Sequence, residues 1–341
     1  MKILYGINAT GNGHLSRARV IISKLKERGH IVECILSGRN DDKLFDLNDF
    51  KPFIIKKGFT FSKSNGKINY IKTFFKIDLI QFVKDIFSIK KTYDLVITDF
   101  EPVSAYYSKL QKIPCFGIGH QYSFYLKIPM TFKMRITKIF FPYIYTPIKN
   151  VIASHFTHFN QPILPPFISE GIRKSSLKAN SSDNILVYLA WEDIKKMISI
   201  FNQIENHQFD YYCNVEKEKN IGNVTLKPFS EDGFKKDLVQ NKFLLTNGGF
   251  QLPAEALHIG KIILCKPLNG QPEQEHNAKI LNDLNYATIS NDIDVDTINN
   301  WLHTGKKIKI DFPDPTELII KIIENKNNDL KKEIDEIWQI K

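Results

Sequence analysis

The sequence lacks the features that mark secreted, membrane-spanning and zinc-binding proteins. Its four cysteines lie far apart and form neither a CxxC pair nor a zinc-ligand spacing with histidine. This favours reduced core thiols in a cytoplasmic protein over disulfides. No apolar run approaches the roughly 18 residues that a transmembrane helix needs. The first residues, MKILYGINAT, lack the basic and cleavage regions of a signal peptide, so we expect a cytoplasmic location.

Sequence motifs for metal binding are also scarce. The triplet Asp294-Val295-Asp296 has the DxD pattern, but it comes late in the chain at the start of a helical pattern. A carboxylate in that position commonly caps a helix. We therefore expect the functional site to use no metal and no other cofactor.

Acidic residues are unevenly distributed along the chain. Residues 1–180 hold 28 lysines and arginines against 12 acidic residues, whereas residues 181–341 hold 19 against 25. The net charge of +10 therefore combines +16 in the first part with −6 in the second. Such asymmetry indicates separate domains with different partners. The basic domain is expected to meet an anion, which can be a phosphate, an acidic glycan, a membrane surface or nucleic acid.

Short apolar strands alternate with helical patterns in both parts of the chain. Six strands are predicted in the first part, from KILYGIN (2–8) to NVIASHF (150–156), and six in the second, from NILVYLA (184–190) to YATIS (286–290). Continuous apolar strands between helices predict parallel sheets that are covered on both faces. The predicted fold class is therefore α/β, with two doubly wound, Rossmann-like domains facing a cleft. Ligands are expected at the carboxyl ends of the strands.

The predicted join between the domains lies in residues 160–184, which are rich in Pro, Ser and Asn. We predict an N-terminal domain over residues 1–163 and a C-terminal domain over residues 164–325. The end of the chain is amphipathic. Residues 326–341 are predicted to form a C-terminal helix that can cross back to the first domain.

The loop after the first predicted strand, ATGNGHLSRA (9–18), has the composition of a ligand-binding turn. Gly11 and Gly13 let the backbone turn sharply and approach a ligand, and the helix that follows offers N–H groups to an anion. As a dinucleotide fingerprint the loop is poor, because it reads GxGxxS and no ribose-binding acid follows the second strand. Arg39 follows that strand instead, which leaves an NADP site as a weak alternative.

Polar residues at the same predicted sheet edge form a candidate catalytic and acceptor site. His14 suits a general base, although a histidine at a helix start can also merely cap or pack. Asp99 ends the fourth strand, where its carboxylate can orient His14 as in a catalytic dyad or simply cap the next helix. His120 and Gln121 follow the fifth strand. Together with Gly11, Gly13 and Arg17 they are expected to contact the acceptor, and His120 is an alternative base.

The second half carries the corresponding candidates for a donor site. Gly248 and Gly249 follow the strand KFLLTN at a helix start, where exposed backbone N–H groups suit a diphosphate. Glu255 lies on the first turns of that helix, where a carboxylate can accept hydrogen bonds from both hydroxyls of a ribose. The next loop and helix carry three more polar residues that suit a hydroxyl-rich ligand: Glu273, Gln274 and Asn277.

These residues together resemble a known family. The pattern GG-F-x-x-x-x-E-A-x-x-x-G-K, followed by P-x-x-x-Q-x-E-Q-x-x-N-A, is similar to the sugar-nucleotide signature of UDP-glucuronosyl/glucosyltransferases and of the peptidoglycan-precursor N-acetylglucosaminyltransferase. The segments GNGHLSRA and TDFEP resemble UDP-glycosyltransferase-like proteins of archaea and bacteria. The resemblance implies the GT-B fold, with an acceptor-binding first domain and a donor-binding second domain.

The resemblance also implies roles for individual residues. It places the glycine pair at the donor diphosphate, Glu255 on the ribose, Glu273 and Gln274 on the donor sugar, and Phe229 beside the base. The sequence departs from the family pattern at two positions. Asn247 replaces a phosphate-contacting histidine, and Trp191 lies where the peptidoglycan enzyme has a glycine-serine loop. The complete donor-binding set implied in this way is Trp191, Phe229, Asn247, Gly248, Gly249, Phe250, Glu255, Glu273, Gln274 and Asn277.

The predicted function is a metal-independent, inverting glycosyltransferase of the hexosyltransferase type that uses a UDP-sugar as co-substrate. Residues 123–149 mix aromatic and apolar residues with five cations and no acid. This composition suits an anionic membrane surface and a lipid-linked acceptor, or core helices with solvated lysines. An anionic cell-surface glycan fits the charge as well, and nucleic acid ranks last. A UDP-sugar 2-epimerase and a non-catalytic polyanion-binding protein with a vestigial donor site remain alternatives.

Overall fold

The structure is a computed structural model. The residues that it describes are 1–38, 47–58, 63–64, 67–68, 78–175, 182–189, 192–325 and 330–339.

The chain divides into two compact units. The first unit comprises Met1–Ser62, Asn69–Phe167 and Phe312–Lys341, and the second comprises Lys63–Ile68 and Ile168–Asp311. Residues 312–325 thus belong to the first unit, although they were predicted to lie in the second domain.

All twelve predicted strands are present, and four further short strands were not predicted. In chain order they are β1 (Lys2–Asn8), β2 (Ile31–Ser37), β3 (Phe53–Lys56), β4 (Lys63–Ser64), β5 (Lys67–Ile68), β6 (Leu95–Asp99), β7 (Cys115–Gly119), β8 (Asn150–Ser154), β9 (Ile163–Leu164), β10 (Ser182–Tyr188), β11 (Phe209–Tyr212), β12 (Lys219–Ile221), β13 (Val224–Lys227), β14 (Asn241–Asn247), β15 (Ile262–Lys266) and β16 (Thr288–Ile289).

The helices lie between these strands. They are α1 (Asn12–Glu27), α2 (Leu79–Phe87), α3 (Pro102–Gln111), α4 (Phe132–Phe140), α5 (Glu170–Ser175), α6 (Ile194–Phe201), α7 (Glu231–Gln240), α8 (Gln251–His258), α9 (Pro272–Asp283), α10 (Val295–Thr304), α11 (Thr316–Asn325) and α12 (Leu330–Ile337). Among the helices of the described residues, none is both long and apolar enough to cross a membrane.

Each unit is built on a seven-stranded sheet. The first sheet has the order β3-β2-β1-β6-β7-β8-β9, and all its neighbouring strands are parallel. The second has the order β12-β13-β11-β10-β14-β15-β16, with only β12 antiparallel. The strand order reverses direction beside the first strand of each sheet, so both units are doubly wound. The predicted α/β fold class is confirmed.

The hydrophobic core of the first unit includes residues from the end of the chain. Helix α1 buries an apolar stripe against the sheet and ends before Gly29, whose φ of +79° suits glycine. Helix α11 buries Ile319, Ile320 and Ile323 in the same core. Because α11 is amphipathic and its apolar face needs a partner, its packing beside α1 accounts for its place in the first unit.

Candidate functional site

Three side chains form a buried hydrogen-bond network at the carboxyl edge of the first sheet. His14 lies in the first turn of α1, and Asp99 is the last residue of β6, paired in register with Ile7 of β1. The Nδ1 atom of His14 lies 2.7 Å from Oδ1 of Asp99. Arg17, one turn along α1, donates from Nε to Oδ2 of Asp99 at 2.8 Å and from a terminal nitrogen to Oδ1 at 2.5 Å.

The charges of this network determine which nitrogen of His14 can act. Burial by itself raises the pKa of Asp99, but Arg17 and His14 outweigh it and hold that pKa below its ordinary value. An ionised Asp99 only accepts hydrogen bonds, so Nδ1 of His14 carries the proton that it donates. The nearby Arg17 nitrogen, 3.1 Å from Nδ1, therefore does not donate to it. In the neutral imidazole, Nε2 then carries the lone pair. The His14 side chain is 12% exposed.

Arg17 has a different place from the one predicted. Arg17 was predicted to contact the acceptor, but it is buried and its guanidinium is bonded to Asp99. Gly119, at the end of β7, makes room for it: a Cβ at Gly119 would lie 2.7 Å from an Arg17 terminal nitrogen, and the φ of +139° also disfavours a side chain. Arg17 thus fixes Asp99, and the prediction of direct acceptor contact is corrected.

Helix capping next to Asp99 is performed by another residue. Glu101 accepts hydrogen bonds from the backbone N–H groups of Val103 and Ser104 at the start of α3. Ser37 donates to the same carboxylate at 2.8 Å. Burial raises the pKa of Glu101, and these hydrogen bonds oppose the rise. Asp99 is consequently free of the capping role that the sequence left open.

The other predicted acceptor residues differ in accessibility. Gly11 is the N-cap of α1 and Gly13 lies in its first turn, and both are partly exposed. Gln121 is buried and His120 is completely buried, with Nδ1 of His120 3.2 Å from the carbonyl oxygen of Ser154. His120 therefore exposes no atom that could take a proton from an acceptor. The alternative base assignment to His120 is not supported, and acceptor contact by Gln121 stays a prediction.

In the second unit the predicted diphosphate loop follows β14. Gly249 has open space where a Cβ would lie, with no atom within 4 Å. Gly248 instead packs closely, because a Cβ there would lie 2.5 Å from the carbonyl oxygen of Gln274. No side chain caps the start of α8. Gly249 is therefore the position at which a ligand can approach the backbone. At Gly248 the absence of a side chain instead lets the loop pack against the backbone of Gln274.

Three of the predicted donor-binding amides brace this region. Asn277 is buried and donates to the Gly248 carbonyl at 3.1 Å, and Asn247 donates to the Lys266 carbonyl at 3.0 Å. The side-chain oxygen of Gln274 accepts from the N–H of Leu268 at 3.0 Å. These contacts hold the loops after β14 and β15 in place. The three amides were predicted to contact the ligand, and in the structure each has a partner in the protein.

Glu255 and Phe229 differ in exposure. Glu255 lies on α8, is 6% exposed, and accepts from Nε2 of Gln251 at 3.2 Å. Burial raises its pKa, while Gln251, Lys235 and Ser169 lower it. Phe229 follows β13 and is 41% exposed, edge-on to the ring of Tyr188.

The remaining predicted donor residues are placed as follows. Glu273 is partly exposed in the first turn of α9, and Phe250 is the buried N-cap residue of α8. Trp191 and Arg39 lie outside the described residues. Asp294 accepts from the N–H of Thr297 at 2.7 Å and caps α10, as its position predicts.

Known structures identify the class of protein that has this architecture. MurG of Acinetobacter baumannii is 15% identical over 98% of this chain and 92% of its own, with a TM-score of 0.51. The glycosyltransferase VinC in complex with dTDP is 11% identical over 98% and 100% of the two chains, with a TM-score of 0.56. UGT89C1 of Arabidopsis thaliana, complexed with UDP, is 12% identical over 98% and 99%, with a TM-score of 0.53. The fold is that of the GT-B glycosyltransferases.

The sequence then identifies the family. Residues 1–304 match the model of glycosyl transferase family 1, which covers most of the chain. The protein belongs to this family and is a glycosyltransferase. Comparison with curated proteins finds no match.

Proposed function

We propose that the protein is a metal-independent, inverting glycosyltransferase that moves a hexose from a UDP-sugar to an acceptor hydroxyl. The observation that carries this proposal is the contact of His14 with Asp99, because it leaves Nε2 of His14 as a proton acceptor. A buried carboxylate that orients an imidazole is a known arrangement for general-base catalysis.

The proposed reaction is a single displacement. Nε2 of His14 removes the proton of the acceptor hydroxyl while that oxygen attacks the anomeric carbon of the donor. The bond from the anomeric carbon to the diphosphate oxygen breaks on the opposite face, so the configuration inverts and UDP leaves with the bonding electrons. Asp99 stabilises the imidazolium that forms. Backbone N–H groups at Gly249 and at the start of α8 stabilise the negative charge on UDP.

The proposed donor is recognised by its ribose and its base. Glu255 accepts hydrogen bonds from the two ribose hydroxyls, and Phe229 offers an exposed aromatic ring to the base. VinC was solved with dTDP and UGT89C1 with UDP. Sugars linked to either nucleotide are therefore candidate donors. The sequence resemblance favours UDP, and a carboxylate at Glu255 gains more from a ribose than from a deoxyribose.

The proposed acceptor is a lipid-linked or anionic cell-envelope glycan at the inner face of the membrane. Helix α2 exposes four apolar side chains: Leu79, Ile80, Val83 and Phe87. A second exposed set lies on and just after α4: Phe132, Ile136, Tyr143 and Ile144. Tyr106 connects the two, because its ring packs edge-on to Phe82 of α2 at 5.4 Å and its hydroxyl donates to the carbonyl of Ile144.

Positive charge accompanies these apolar side chains. Lys84 of α2 is exposed beside one set, and Lys133 and Arg135 of α4 are exposed beside the other. Apolar side chains flanked by cations suit the interface of an anionic bilayer. A peripheral membrane location would bring a lipid-linked acceptor to the first unit.

The proposal is tested by a calorimetric panel of UDP-, dTDP- and GDP-sugars, followed by turnover assays with and without EDTA. We expect a UDP-sugar to bind most tightly, turnover to survive EDTA, and the product to have the inverted anomeric configuration by NMR. Retention of configuration, or turnover that stops in EDTA and returns with a divalent cation, would overturn the mechanism. Turnover of the UDP-sugar without any acceptor would favour an epimerase-like reaction.

A further inference from the structure

One ion pair at the carboxyl edge of the second sheet has no part in the proposed reaction so far. Lys266 is the last residue of β15, and its Nζ lies 2.5 Å from Oε1 of Glu192. The two side chains are 11% and 17% exposed, so the pair is nearly buried and keeps a small exposed fraction. Glu192 precedes α6, just after the end of β10.

The position of this pair follows from the strand order. Strand β14 lies between β10 and β15, and Asn247 at its end is in register with Lys266. An ion pair from the end of β15 to the residues after β10 therefore crosses the end of β14, where the chain turns into Gly248 and Gly249. Asn247 also donates to the Lys266 carbonyl, so the backbone that carries the lysine is tied to the glycine loop.

The charge of Lys266 suits a diphosphate at this position. A helix N-terminus is equivalent to roughly half a positive charge, whereas a nucleoside diphosphate carries more negative charge than that and gains some on leaving. A lysine supplies a full charge and three donors in a setting with little water. A nearly buried ion pair is a weak source of stability, since desolvation offsets the attraction. The pair is therefore better explained by a ligand than by folding.

We propose that Lys266 binds the diphosphate of the donor, and that Glu192 holds its ammonium group in position until the donor arrives. This inference rests on the proposed function, because it requires a nucleoside diphosphate at the Gly249 loop. The start of α8 provides only part of the positive charge that the leaving group needs, and Lys266 would supply the rest.

The test compares two ligands that differ only in the diphosphate. UDP and uridine are titrated calorimetrically into the wild type and Lys266→Met, and melting temperatures establish that each variant is folded. We expect Lys266→Met to weaken UDP binding by about tenfold to a hundredfold, the range for a hydrogen bond to a charged group, and to leave uridine binding unchanged. Glu192→Gln should bind UDP at least as tightly as the wild type, because no carboxylate then competes for the ammonium.

The control is an ion pair at the amino edge of the same sheet, between β14 and β10. Lys242 near the start of β14 pairs with Asp183 of β10 at 3.0 Å, and Lys242→Met should change neither affinity. Equal UDP affinity in Lys266→Met and the wild type would overturn the inference, as would a parallel loss of UDP and uridine binding. Should Lys266→Met fail to fold, Lys266→Arg is used, which must keep the preference for UDP over uridine. If the wild type binds no nucleotide at all, the proposed function itself fails.

Discussion

Nδ1 of His14 lies 2.7 Å from Oδ1 of Asp99, and Arg17 bonds both oxygens of the same carboxylate. This arrangement makes Asp99 an ionised acceptor and His14 a donor through Nδ1. In the neutral imidazole this leaves the lone pair on Nε2, where a general base accepts its proton. The proposed mechanism depends on this relationship more than on any other in the molecule.

Replacing Asp99 by Asn should slow transfer without weakening donor binding. The amide is nearly the same size but neither fixes the tautomer of His14 nor stabilises its charged form. We expect kcat to fall by about a hundredfold or more, with the UDP affinity unchanged by calorimetry. Asp94→Asn is the matched control, because Asp94 lies at the amino end of β6 and accepts from the N–H of Lys2. An equal loss in both variants would argue against the dyad.

Asp99 should also make stability depend on pH in acid. Arg17 and His14 hold the pKa of Asp99 below its ordinary value despite burial, so the unfolded chain takes up this proton first as the pH falls. The stabilisation is therefore complete above about pH 4, near the unfolded pKa, and is lost as the pH falls through the folded pKa. Urea unfolding measures the difference in the free energy of unfolding between the wild type and Asp99→Asn. This difference should be constant near neutrality and should shrink in acid. A difference that stays constant down to about pH 3 would contradict this.

Glu255→Gln should reduce discrimination between ribose and deoxyribose. A carboxylate can accept from both ribose hydroxyls, whereas an amide has one acceptor oxygen. We expect the affinity for UDP to fall about tenfold and that for 2′-deoxy-UDP to change little. Because burial raises the pKa of Glu255, the wild-type preference for UDP should also decline as the pH is lowered through that raised value. An unchanged preference in Glu255→Gln would remove Glu255 from the ribose site.

The exposed apolar side chains of α2 should control membrane binding. Replacing Ile80 and Phe87 by Ser removes two of its most exposed apolar groups without touching the core. We expect the affinity for vesicles that contain anionic lipid, measured by cosedimentation, to fall about tenfold or more. Each large apolar side chain contributes about 1.5 to 3 kcal/mol when buried. The matched control is Leu110→Ser on α3, which is also exposed. Equal vesicle binding by the wild type and the α2 variant would exclude this surface.

Much of the fold was predictable because buried parallel strands are continuous apolar runs. The predicted bounds of β1, 2–8, coincide with those observed, and β14 differs by one residue. Short edge strands such as β9 and β12 were missed, because two or three residues carry no periodicity. The place of α11 in the first core could not be predicted, since an amphipathic helix does not specify its partner.

The candidate site was predictable where strand order alone brings residues together. His14 and Asp99 meet because β1 and β6 are neighbours and both residues lie at the carboxyl edge. The partner of Arg17 depends on the space at Gly119, and the amides of Asn247 and Asn277 depend on loop packing. Such contacts are set by tertiary structure. The sequence signalled them only through the spacing of three between His14 and Arg17 and through Gly119 at the end of a strand.

The most direct test of the account is single-turnover transfer by His14→Ala, measured with saturating donor and acceptor. The account predicts that the rate falls by about a hundredfold to ten-thousandfold, while UDP affinity and melting temperature stay close to those of the wild type. Transfer at a rate within a few-fold of the wild type would show that His14 is not the base and that the contact with Asp99 serves only the structure.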